Sequence, residues 1–145
     1  MDLSANLLTA SEGTSFTETS RYTGGNLGSL HNIFINEDTG LGYALGSTTC
    51  SGGLHIFNLN NDPANPTFAG CYSDDGYTHD VHCVLYNGSD TRYTGNEICF
   101  ACNTDSVTII DITKNTMISR NTYSGTGYTH QGWLTEDHIF FCLWG

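Results

Sequence analysis

The pentapeptide Gly76-Tyr77-Thr78-His79-Asp80 returns as Gly127-Tyr128-Thr129-His130-Gln131. Upstream of each lies a strand-like run, Thr67–Ser73 and Ile118–Ser124. A degenerate copy precedes both: Ser15–Thr23, followed by Gly28-Ser29-Leu30-His31-Asn32. The aligned histidines His31, His79 and His130 stand 48 and 51 residues apart. A period of about 40–50 residues that holds several short strands is the spacing of a β-propeller blade.

Each period divides into four runs. After His31 they are Asn32–Asn36, Leu41–Leu45, Leu54–Leu59 and Thr67–Ser73; after His79 they are Val81–Tyr86, Glu97–Ala101, Val107–Ile112 and Met117–Tyr123. Glu37–Gly40, Asp62-Pro63 and Asn87-Gly88 supply turns between them. Some runs are apolar without alternation, as strands covered on both faces require. After His130 come Gly132–Thr135 and Ile139–Trp144; Phe16–Tyr22 reads as a fourth strand, and Met1–Ser4 as the end of a third. The expected fold class is therefore all-β: β-propeller blades, each a four-stranded antiparallel meander, in an incomplete propeller. Residues 1–30 are the outer strand of a preceding blade and its connection, 31–78 and 79–129 are whole blades, and 130–145 are the first two strands of a further one.

Composition agrees with short strands and turns. Charged residues are only 13% of the chain, against roughly 25% in average soluble proteins. Gly, Ser, Thr and Asn take their place. The net charge is −11, with Lys114 the only lysine and Arg21, Arg92 and Arg120 the only arginines. Such a surface repels phosphate, which argues against nucleic acid and anionic membrane as partners. It leaves cations, basic proteins and neutral glycans, or acidity that serves solubility alone. No run of about 20 apolar residues offers a membrane span. Met1-Asp2-Leu3-Ser4 does not open a secretion signal, so a mature or internal fragment is expected.

The six cysteines, Cys50, Cys71, Cys83, Cys99, Cys102 and Cys142, suggest disulfides and an oxidising compartment, extracellular or at the cell surface. Cys99-Phe100-Ala101-Cys102 has CxxC spacing, but no second half of a zinc knuckle follows. The order of runs pairs Cys50, just before the third strand of its period, with Cys71 in the neighbouring fourth, and Cys83 with Cys99, across a long hairpin. Cys102 and Cys142 either pair between blades or stay reduced.

Three histidines at one repeat position suggest a site. In a propeller the first strands line the axis, so His31, His79 and His130 converge near one mouth of the channel. Neutral imidazoles there can hold Zn, Fe or Cu, with Asp80 or Asp75 adding a carboxylate and His82 on the same strand face as Asp80. The competing reading is that each Tyr-Thr-His turn bonds a backbone group of the neighbouring blade. His55 and His138 lack a repeated counterpart and read as surface residues. Ca is a weaker candidate metal: the loops Asn36–Gly40, Ser73–Gly76 and Asn87–Asp90 are oxygen-rich but lack EF-hand spacing, and Asx turns explain them as well. Asn87-Gly88-Ser89 is a glycosylation sequon or simply a hairpin turn. The sequence contains no nucleophile elbow, P-loop or dinucleotide fingerprint.

Val107-Thr108-Ile109-Ile110-Asp111 is similar to the LVIVD repeat. The stretch His31–Asp137 resembles bacterial surface proteins of the choice-of-anchor B family, through His31-Asn32-Ile33, Cys50–His55, Asp74–Asp80 and Gly127–Asp137. The resemblance implies a secreted or surface-anchored β-propeller and brings no assigned activity; Cys142–Gly145 departs from the pattern. Two functions follow as expectations. One is a non-catalytic module that binds a protein or carbohydrate and self-associates head to tail through open strand edges, as a homo-oligomer. The other is a metal-dependent oxidoreductase or hydrolase with a histidine-lined axial site.

Overall fold

The computed structural model describes Ser15 and residues 17–145. Strands β1 (Asn32–Asn36), β2 (Leu41–Leu45), β3 (Leu54–Asn58) and β4 (Thr67–Tyr72) form one antiparallel sheet in chain order. Strands β5 (Thr78–Leu85), β6 (Glu97–Asn103), β7 (Val107–Asp111) and β8 (Thr116–Asn121) form a second of the same topology. Strands β9 (Gln131–Leu134) and β10 (Phe141–Trp144) pair as a separate hairpin. The described fold is thus all-β and antiparallel, and its sheets do not close into a barrel.

The register repeats. Asn32 pairs with Leu45, Asp80 with Cys102, and Gln131 with Trp144, each one residue after an aligned histidine. Because opposed residues share a sheet face, this register makes Ile33, Val81 and Gly132 equivalent, and likewise Phe34, His82 and Trp133. The first strands lie against one another in series, β1 on β5 and β5 on β9.

Alternation decides what each face buries. Tyr43, Leu45, Leu54, Ile56 and Tyr72 of the first sheet meet Val81, Cys83, Cys99, Ala101 and Ile110 of the second in one core. The opposite face of the second sheet, with Ile98 and Phe100, receives Leu134 and Phe141 of the hairpin. That is why β6 is buried at every position: it is covered on both sides.

Both expected disulfides are present, Cys50–Cys71 and Cys83–Cys99. Cys102 and Cys142 are free, the first buried and the second exposed. Burial, with a smaller contribution from nearby Asp80, pushes the Cys102 thiol up to about 12, so it is inert at neutral pH. No helix among the described residues is long and apolar enough to cross a membrane.

Three expectations need correction. β5 begins at Thr78 rather than Val81, because the chain enters the sheet through a bulge between Thr78 and Asp80. His79 therefore lies inside the strand, while His31 and His130 precede theirs. Ile139 and Phe140 lie in the turn rather than in β10, since Asp137 and Thr135 hold that turn through Ile139 N and Phe140 N. The run expected as a strand over Phe16–Tyr22 is not one in its described part; residues 17–23 carry no ladder, and Tyr22 instead packs its ring on Phe57. Phe16 and Met1–Ser4 lie outside the described residues.

Candidate functional site

Serial stacking of first strands brings the aligned histidines together at one end of the sheets. The rings of His31 and His79 have centroids 4.1 Å apart, and those of His79 and His130 are 4.2 Å apart. Tyr128 stands edge-on to His79 at 5.3 Å, and Tyr77 lies beside His31. Gly46, at a left-handed φ of 59°, leaves the space Tyr77 and His31 use; a Cβ there would sit 2.8 Å from the Tyr77 ring. The result is a continuous imidazole and phenol row across three units.

The hydrogen bonds define what the row does. His79 Nδ1 lies 2.6 Å from the carbonyl oxygen of His130, so Nδ1 carries the proton and donates it to the next unit. The Asp80 carboxylate accepts from Asn32 Nδ2 at 2.9 Å and from Val81 N at 2.9 Å, tying the second sheet back to the first. Burial is the largest influence on His79 and lowers its pKa; the bond to His130 opposes this, and the neighbouring rings of His31 and His130 reinforce it. Burial raises the Asp80 carboxyl above its ordinary range. The four residues expected as metal ligands, His31, His79, His130 and Asp80, are neighbours. Yet among the described residues no three His, Cys, Asp or Glu side chains are arranged to hold a metal ion. His79 and Asp80 spend polar atoms on joints between units.

A second row lies three residues further along each first strand. Phe34 stands edge-on to His82 with centroids 5.6 Å apart, and His82 stacks on Trp133 at 4.1 Å. His82 Nδ1 accepts the Leu134 N–H at 2.8 Å, so this ring is protonated on Nε2 when neutral. Burial lowers its pKa. The sequence placed His82 on the same face as Asp80; there it serves the hairpin joint. The signal that could have found this row was the repeat itself, which aligns Phe34, His82 and Trp133.

Two histidines read as surface residues are not free. His55 is fully buried, with Thr49 Oγ1 2.9 Å from Nδ1 and Tyr22 Oη 3.1 Å from Nε2. His138 accepts the backbone N–H of Asn87 at 3.2 Å, bridging the hairpin to the loop after β5. Asp75, a possible extra ligand, instead closes the second sheet. It accepts from Asn103 Nδ2 at 2.8 Å, Ser106 Oγ at 3.2 Å, Arg120 Nε at 2.9 Å and, closer still, Thr108 Oγ1. The oxygen-rich loop at Asn36 likewise folds inward, its Oδ1 accepting Asp38 N.

Compared with known proteins, the chain matches no family model, no curated protein and no solved structure.

Proposed function

We propose that this chain is a non-catalytic repeat module of β-propeller type, secreted or surface-held, whose work is binding and assembly. On this reading the two four-stranded sheets are blades, the hairpin is the inner half of a third, and the set is an incomplete propeller. One observation carries the reading: the same repeat positions join unit to unit at each step. His31, His79 and His130 form one joint line, and Phe34, His82 and Trp133 a second. His79 Nδ1 and the Asp80 carboxylate are engaged in bonds between units, which supports a structural use for them. Two disulfides are compatible with an extracellular setting. The resemblance of Val107–Asp111 to the LVIVD repeat, and of His31–Asp137 to the choice-of-anchor B family, supports a secreted or surface-anchored protein.

Light scattering after size exclusion tests the assembly role. The 145-residue chain at micromolar concentration is expected to run as a defined oligomer. A stable, monodisperse species at the 15.8 kDa of one chain would remove the assembly reading.

A further inference from the structure

Asn87-Gly88 opens the loop that joins β5 to β6, and it is the one place in the sequence where glycine follows asparagine. Asn87 is exposed and lies outside the ladder. Its backbone N–H is given to His138 Nδ1 at 3.2 Å, while its side-chain amide is bonded to no side chain among the described residues. Asn32, Asn36, Asn65, Asn96 and Asn103, by contrast, hold their amides in bonds to Asp80, Glu97, Asp62, Asp111 and Asp75. A Cβ on Gly88 would lie 2.5 Å from Tyr86 Oη, the phenol that accepts the Asp90 N–H at 3.4 Å. The loop thus needs glycine after Asn87, and a glycine there leaves its own nitrogen open to approach by the asparagine side chain.

We infer that Asn87 is a site of spontaneous modification, where conversion of its amide to isoaspartate releases the hairpin joint at His138. The Gly88 main-chain nitrogen loses its proton to solvent base and forms a bond to Asn87 Cγ. The bond from Cγ to the side-chain nitrogen breaks, and ammonia leaves with a proton returned by solvent, which closes a five-membered succinimide. Water then opens the ring. Attack at Cγ breaks its bond to the Gly88 nitrogen and gives aspartate. Attack at the Asn87 main-chain carbonyl breaks that carbon's bond to the Gly88 nitrogen, so the main chain now runs through Cβ and Cγ. Water is the only co-reactant, and nothing is oxidised or reduced. Isoaspartate lengthens the main chain by one methylene and leaves a carboxylate on Asn87 Cα. Tyr86 is held on both sides, its N–H donating to Asn96 O at 2.9 Å and its carbonyl accepting from Gly95 N at 2.8 Å. Asp90 is held in turn by the Tyr86 phenol. The added length therefore falls on residues 87–89, where the bond to His138 is made. The new carboxylate also stands beside the Nδ1 lone pair that accepted the N–H, and the two repel. The site is independent of the repeat-module reading, since it needs only this loop and the hairpin.

Ageing the whole chain, made in a bacterial host, in mildly alkaline buffer tests this. By ion exchange the folded wild type is expected to gain one negative charge per chain beyond its −11. Peptide mapping should place the change at Asn87, with isoaspartate as the larger product by fragmentation and by labelling with an isoaspartyl methyltransferase. Hydrogen exchange on the separated aged form is expected to show protection lost around His138 and across β9 and β10, with the first sheet unchanged. Asn87→Ser keeps the backbone N–H but has no amide to lose, so it is expected to hold both its charge and its protection over the same period. The inference is overturned if Asn87 stays an amide while another asparagine converts, if aspartate is the only product, or if the aged form keeps full protection of the hairpin. It is also overturned if Asn87→Ser loses hairpin protection as fast as wild type.

Discussion

Acidification from about pH 7 to pH 5 is expected to destabilise this fold through His55, His79 and His82. Burial is the main cause in each case, and it holds all three below the ordinary histidine value. In the unfolded chain the same rings titrate near ~6.5. Below that value the unfolded state binds more protons than the folded one. The stability contributed is therefore full above the unfolded value and drains as pH falls toward the folded values. The slope is at most about 1.4 kcal/mol per pH unit for each ring that stays neutral when folded. Three rings set a ceiling of about 4 kcal/mol per unit, large against a total stability of roughly 5–15 kcal/mol. His82 gives the loss a location: protonating Nδ1 turns the acceptor of the Leu134 N–H into a donor, so the hairpin joint opens first. The raised Asp80 carboxyl acts in the opposite sense, since its folded form takes up a proton more readily, but that belongs to the carboxylate range at lower pH. The assay is guanidinium unfolding at stepped pH and fixed ionic strength, for wild type and His82→Phe. Phenylalanine suits the site because Phe34 holds the equivalent position. The variant should lose about 1–2 kcal/mol at pH 7, because Leu134 N–H is left without its acceptor, and should show a shallower acid slope. Wild-type stability that is flat between pH 7 and 5, or a variant slope equal to wild type, would refute the reasoning.

Replacing Asp75 by Ala should cost about 3–5 kcal/mol, since Asn103, Ser106 and Thr108 are left buried without their shared acceptor; thermal melts should show a fall of roughly 10 °C. Arg120→Ala should cost far less, because that guanidinium lies at the surface. Burial acts to raise the Asp75 carboxyl, but the bonds from Thr108, Arg120 and Ser106 outweigh it and hold the carboxyl low. Its stabilisation is thus present above about pH 4 and lost as pH falls through the folded value, a loss Asp75→Ala should not show in acid titrations. The double change Cys50→Ser, Cys71→Ser opens a loop with a sequence separation of 21. It should lower the stability measured in denaturant by about 3 kcal/mol in the chain-entropy model. Protein prepared without an affinity tag should carry no stoichiometric metal by elemental analysis; a full equivalent lost with His79→Ala would restore His31, His79 and His130 as ligands.

What was legible in the sequence was whatever depends on local pattern and spacing. Apolar runs bounded by Asx and glycine turns located the strands, because a ladder needs β-rich residues and its ends need residues that tolerate unusual φ. The pairing of Cys83 with Cys99 followed from hairpin order alone, since residues opposed across a hairpin are close whatever surrounds them. Contacts between units were not legible. Nothing near His55 in the chain announces that Tyr22, 33 residues earlier, will bond its ring. Nor does Asp75 show that its carboxylate folds onto β7 rather than out to a ligand. The bulge after Thr78 was not legible either, since no residue at Thr78–Asp80 marks a register shift in the sequence.

Recurrence in this sequence marks a place where one unit touches the next, and it need not keep the same chemistry. The position held by Phe34, His82 and Trp133 changes residue at every step, yet each ring meets the next. The position held by His31, His79 and His130 keeps its residue, and those rings also meet in series. A ligand set would require the recurring side chains to aim at one point; a joint line requires only that each aim at its successor, which His79 does in donating to the His130 carbonyl. The same logic covers the third strands. His55 and Thr108 occupy equivalent positions in β3 and β7, since their partners Ala44 and Ala101 are equivalent. Thr108 bonds Asp75 from the segment preceding its sheet, and His55 bonds Tyr22 from the segment preceding its own. Each sheet is thus closed by the stretch of chain that leads into it, through whichever polar pair the local space admits. A change at His55 or Thr108 should therefore loosen the entry segment of its own sheet, and hydrogen exchange should show the new exposure around Tyr22 in one case and around Asp75 in the other. If His55→Ala instead released the Asp75 turn, equivalence by register would be the wrong guide to which parts of this chain hold one another.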